Sequence, residues 1–124
     1  MKEKNTYVSG LDSKLIFACS GAADVGALSD QVARKLTRDG VGKMFCLAGV
    51  GGRVPGVITT TRSAAKILVI DGCSQNCAQQ VLEQAGFTSY AHLKLADMGM
   101  EKGNSPVNVE SIEKVAAQGV ILLE

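Results

Sequence analysis

Short apolar runs alternate along the chain with longer segments in which apolar residues recur every three or four positions. The runs at 14–18, 43–47, 66–70 and 90–95 have strand length and polar or glycine borders, so each reads as a strand, and a fifth run lies at 120–123. After the first run, Val25, Leu28, Val32 and Leu36 form a helical stripe from Asp24, with Arg34, Lys35 and Arg38 toward its end and Gly40 beyond. Residues 57–65 read as a short helix. The segment 73–85 reads as a helix that carries Cys73, Cys77, Val81, Leu82 and Ala85 inward and stops at Gly86. A last helix is opened by Asn108 and Glu110, bears Ile112, Val115 and Ala116 on one face and has Gly119 after it. Strands this apolar, alternating with helices, predict an α/β fold of three layers. A mostly parallel sheet of four to five strands is joined by right-handed crossovers, flavodoxin-like or Rossmann-like.

Composition narrows this picture. With 124 residues, 46% of them hydrophobic, the chain has enough material for one core and too little for two, so 1–124 is read as a single domain with 1–13 as a mobile lead-in. Thirteen basic and twelve acidic residues leave a formal charge of +1, which argues against a nucleic-acid or anionic-membrane footprint. Aromatics are 4% with no tryptophan, so base-stacking platforms are lacking as well. The first residues are polar and charged, no leader-like apolar run follows them, and no stretch reaches the ~20 apolar residues of a membrane helix. The expected compartment is therefore the cytoplasm. Four cysteines in a reducing compartment point to metal binding or thiol chemistry rather than to structural disulfides.

The cysteines sit where such a fold builds its sites. Open parallel sheets bind ligands beyond the carboxyl ends of their strands. Cys19 ends the first strand, Cys46 lies late in the second, and Cys73 follows the third, evenly spaced at about one strand-helix unit each. Cys77 is four residues beyond Cys73, and on a continuous helix the two would stack on one face. If the three strands are neighbours, one edge of the sheet gathers four thiols. Four thiolates suit tetrahedral Zn²⁺, at about 2.3 Å, and equally an iron-sulfur cluster. Against this stands the plain alternative that a free cysteine is a small buried hydrophobe. Convergence of all four favours the metal reading.

The stretch Asp71-Gly72-Cys73 with Cys77, preceded by Cys19 after an apolar strand and by Cys46, resembles the DGC domain family, and the likeness runs from about residue 11 to the end of the chain. The resemblance implies zinc as the bound ion, with Cys19, Cys46, Cys73 and Cys77 as ligands, and it implies no substrate.

Other residues are weighed against simpler roles. Asp71, just before an expected helix start, is read as a helix cap ahead of a carboxylate that supports the metal or accepts a proton. His92 alternates with Tyr90 and Lys94 and is read as a half-buried strand residue rather than a ligand. Gly49, Gly51, Gly52 and Gly56 with Arg53 lack the phosphate-loop pattern, so a flexible crossover loop is preferred to an anion nest. Met98 and Met100 are read as packing residues rather than copper ligands. The layout around Cys19 is that of a small phosphatase, but Asp24 and Val25 stand where an anion-holding arginine is required.

Three functions remain, in order. The first is a small cytoplasmic zinc-binding protein with a four-cysteine site, in which binding outweighs catalysis because a tetrathiolate leaves no open position. The second is a redox or sulfur-transfer enzyme that uses Cys73 as a helix-start thiolate, resolved by Cys77 or Cys19. The third is an iron-sulfur electron carrier. The expected partner is the zinc ion, without nucleic acid or membrane, and edge strands leave homo-oligomers open.

Overall fold

The protein is described here by a computed structural model that covers residues 13–124. The first strand, β1 (Lys14–Ala18), is followed by α1 (Asp24–Arg38), β2 (Lys43–Met44), α2 (Leu47–Gly51), α3 (Pro55–Arg62) and β3 (Lys66–Asp71). Then come α4 (Cys77–Gln84), β4 (Ala91–Lys94), a 3₁₀ turn (Leu95–Met98) and α5 (Val109–Leu122). The strands form one sheet in the order β2-β1-β3-β4, and every pairing is parallel. This is the doubly wound α/β arrangement expected from the sequence. Its order follows the start of the flavodoxin-like series, in which the chain crosses from one side of β1 to the other.

Strand alternation divides the apolar residues between two faces. Ile16, Ala18, Leu68 and Ile70 turn toward α1 and α5, where Val25, Leu28, Val32 and Leu36 meet Val115 and Ala116. Leu15, Phe17, Ile67 and Val69 turn the other way, onto Val50, Ala78 and Leu82 of α2 and α4. Both faces are covered, which is why the strands read as continuous apolar runs. Burying one Leu or Ile side chain contributes about 1.5–3 kcal/mol, so the two layers together supply the main driving force.

The structure departs from the sequence reading at four places. Residues 120–123 are not a strand: α5 runs through Leu122. Gly119, read as the helix stop, instead packs closely on α1, since a Cβ there would lie 2.8 Å from Leu36 Cδ1. The helix is well started, because Asn108 Oδ1 accepts from Ser111 N at 2.8 Å and Ser111 Oγ accepts from Asn108 N at 3.1 Å. The second strand ends at Met44, two residues before Cys46, and the glycine-rich segment holds helix α2 instead of a flexible loop. The expected lead-in lies outside the described residues except for Ser13, which is buried and accepts hydrogen bonds from Ala65 N and Lys66 N on its carbonyl. The fourth change, in the start of α4, reshapes the site. Among the described residues no helix is long and apolar enough to cross a membrane.

A candidate thiol site at the strand ends

β1 and β3 are paired along five residues, and the chain continues past both ends into the segments that carry thiols. Cys19 extends the ladder by one bond, from its N–H to Ile70 O at 2.9 Å. Its half-buried side chain packs against the α2/α4 layer. Burial pushes the Cys19 thiol up, the N–H of Gly21 opposes this, and Asp71, Cys77 and Cys73 each push it further up. Those three groups therefore lie within electrostatic reach of Cys19. Cys73 is half-buried and packs against the opposite, α1/α5 layer, while Cys77 is exposed. Cys46 is exposed too, and caps α2 with its Sγ accepting from Gly49 N at 3.2 Å. All four cysteines are free.

Cys73 and Cys77 do not stack on one continuous helix as the sequence predicts. Asn76 adopts the left-handed conformation (φ 56, ψ 49), so the helix begins at Cys77 and Cys73 belongs to the turn before it. Asp71 explains the late start. Its side chain is 1% exposed, and it accepts from Ala78 N at 2.8 Å and Gln79 N at 3.1 Å. It is the cap expected from the sequence, acting from the end of β3, and it occupies two helix-start amides that would otherwise favour a thiolate. Its Oδ2 also accepts from His92 Nε2 at 2.7 Å. His92 is thus the half-buried strand residue foreseen, with a partner on the next strand that was not. The Tyr90 ring stands edge-on to it at 6.0 Å, and the Tyr90 hydroxyl bonds Gln79 and Glu83.

Among the described residues no three Cys, His, Asp or Glu side chains are arranged to hold a metal ion. The donors suit zinc in kind, as free thiols, but they stand apart.

A family model described as "DGC domain" matches residues 15–118. The chain belongs to the DGC domain family. It is also similar to the anaerobic and virulence modulator AnvM of Pseudomonas aeruginosa, at 38% identity over 88 residues, which are 71% of this chain and 67% of AnvM. No solved structure matches.

In this DGC domain the Asp71-Gly72-Cys73 triplet has three distinct jobs. Asp71 starts α4 and ties β4 to β3 through His92. Gly72 lies against the first turn of α1, where a Cβ would sit 2.5 Å from Val25 O. Cys73 lines a cleft of about 450 Å³, together with Ser74, Gln75, Met100, Glu101 and Lys102. Arg53, considered above for an anion nest, spends its guanidinium on the carbonyls of Val50, Gly51 and Gln84 and locks the end of α2 to α4.

One wall of the cleft is the loop 99–105 of the DGC domain, and Asp24 holds it down. The Asp24 carboxylate accepts from Gly103 N and Ser105 N, each at 3.0 Å. These amides, followed by that of Val25, hold the carboxyl below its usual value. Because the folded value is the lower one, this anchoring is present above the unfolded Asp value of about 3.9 and fades as pH falls through the folded value. Protection of the Gly103 and Ser105 amides, relative to their intrinsic exchange rates, should be lost in that acid window ahead of that of the core amides, and Asp24→Asn should bring the same loss to neutral pH. Unchanged exchange in the variant would mean that Asp24 does not anchor the loop.

Proposed function

We propose that this DGC domain is a cytoplasmic zinc-binding protein with a regulatory rather than a catalytic task, in which Cys19, Cys46, Cys73 and Cys77 supply thiolates to one Zn²⁺. The observation that carries the reading is that Cys19 and Cys73 follow the ends of the paired strands β1 and β3 and Cys77 opens the next helix, with Asp71, Cys77 and Cys73 all acting on the Cys19 thiol. At Cys19 burial and these neighbours disfavour the thiolate, and a divalent cation would reverse that balance by attracting it. Four thiolates close a zinc site against substrate, which supports binding over catalysis. The similarity to a protein named as a modulator supports the same choice.

The test is metal content on protein purified anaerobically without added metal. The expected result is about one zinc per chain with thiols protected until a chelator is added, and loss of that zinc in Cys19→Ser or Cys77→Ser. Metal-free, colourless protein with reactive thiols would overturn the reading in favour of thiol redox or sulfur transfer by Cys73 with Cys77 or Cys19. The action of Cys77 and Cys73 on the Cys19 thiol supports that second reading. Iron with sulfide absorbance would point to an electron carrier.

A further inference from the structure

The sheet has two edges, and only one of them is closed. At β2, a strand of two residues, the amide of Met44 donates to Thr37 Oγ1 of α1 at 2.8 Å. β4 is the opposite edge. Its four residues pair with β3 alone, and no hydrogen bond joins its outward N–H and C=O groups to another described residue. A fifth strand does not cover them among the described residues, because α5 runs through Leu122. An edge left in this state is a template for another strand.

β4 is complementary to itself. A two-fold axis normal to the sheet pairs a strand antiparallel with its own copy and sets residues of one face opposite each other, so the axis falls on a residue. Ala91 and Leu93 lie on the α1/α5 face, and Tyr90, His92 and Lys94 alternate with them on the α4 face. With the axis at Leu93, Lys94 meets a basic ring, His92 of the partner subunit. With the axis at His92, Lys94 stands opposite Tyr90 of the partner subunit. In each copy the Tyr90 hydroxyl is bonded to Glu83, an exposed carboxylate outside any ion pair among the described residues. The Lys94 side chain is 40% exposed, and its own Asp97 is 3.8 Å away. The axis at His92 therefore offers a lysine a carboxylate twice. Apolar surface borders the same edge: Leu122 shares a cleft of about 250 Å³ with Tyr90 and Ala91, and its neighbour Ile121 is exposed.

We infer that the protein is a homodimer in which β4 pairs antiparallel with β4 of a second copy about an axis at His92, with Lys94 of each chain facing Glu83 of the other. The two four-stranded sheets become one continuous sheet. Antiparallel pairing turns the carboxyl ends of the two sets of strands in opposite directions, so each copy keeps its own thiols and its own cleft. The association needs no metal and no cysteine.

The experiment is sedimentation velocity on the full chain, metal-free and kept reduced so that no disulfide contributes, at concentrations up to the millimolar range. A reversible dimer is expected. Lys94→Glu sets two carboxylates against each other and Glu83→Lys sets two ammonium groups against each other, each twice per dimer, so each variant alone should dimerise roughly tenfold more weakly or worse. Mixed in equal amounts, the two variants should recover the affinity of the unaltered chain, because every lysine then meets a carboxylate again. A variant that had merely lost its fold would not be rescued by the other. A chain that stays monomeric at every concentration would overturn the inference. So would a dimer that the single variants leave unchanged, or one that the mixture fails to restore while both variants keep the circular dichroism of the unaltered chain.

Discussion

Gly72→Ala is expected to lower the stability of the domain by about 1–3 kcal/mol, the usual cost of forcing a methyl group into a packed interior, and toward the upper end of that range. The reason is what the new Cβ would meet: Val25 O at 2.5 Å, Val25 C at 2.7 Å and Gly26 N at 3.1 Å, all backbone atoms of the first turn of α1. A flexible side chain can swing aside, but a helix backbone moves only with its neighbours. Gly26 belongs to the same seam, since its own Cβ would lie 2.5 Å from Gly21 O. The loop after β1, the start of α1 and the loop after β3 are therefore stacked backbone on backbone at the thiols. In urea the Gly72→Ala midpoint should fall by roughly 1 M. The double variant with Gly26→Ala should cost less than the sum of the two, because either methyl already pushes the layers apart. A midpoint equal to that of the unaltered chain would show that the seam is loose.

The seam also shows what could be read from the sequence and what could not. Where local pattern and tertiary packing agree, as in the apolar strands, the α1 stripe and the Asn108 cap of α5, the elements stand where periodicity puts them. Glycine is where they diverge. A glycine that ends a helix and a glycine that lets two helices touch look alike in one sequence, and Gly119 is of the second kind, so α5 runs through a segment read as a strand. The glycines around α2 misled in the same way. In the site, the cysteine positions at strand ends were legible because parallel strand topology sets them, apart from Cys46, which lies beyond a strand shorter than its apolar run. The left-handed turn at Asn76, which parts Cys73 from Cys77, was not legible, because a turn with polar residues and a helix start share the same composition. The Asp71–His92 contact was also out of reach. It depends on the register that sets Asp71 beside Lys94 and Val69 beside His92, and only an Asp and a His at matching heights on expected neighbouring strands could have hinted at it.

Asp71→Asn should be the most damaging single change near the site, at about 3–5 kcal/mol, the range for removing one partner of a buried charged group. The carboxylate is 1% exposed and accepts from Ala78 N, Gln79 N and His92 Nε2 at 2.8, 3.1 and 2.7 Å. An amide of the same shape replaces one of its two oxygens with an N–H donor, which would face a donor on whichever side it turned. His92→Gln removes one of those three contacts and leaves the cap in place, so it should cost about 1–3 kcal/mol, and the double variant should fall short of additivity. Equal losses for Asp71→Asn and His92→Gln would mean that the cap contributes nothing. A second measurement separates electrostatics from folding. The Asp71 charge helps to push the Cys19 thiol up, behind burial, so its removal should favour the thiolate. Under conditions where both proteins are fully folded, metal-free Asp71→Asn should alkylate faster at Cys19 than the unaltered chain at the same pH, although Gly72→Ala carries no such charge change and should not. Slower or unchanged alkylation would remove Asp71 from the electrostatics of the thiol site and leave it a purely structural cap.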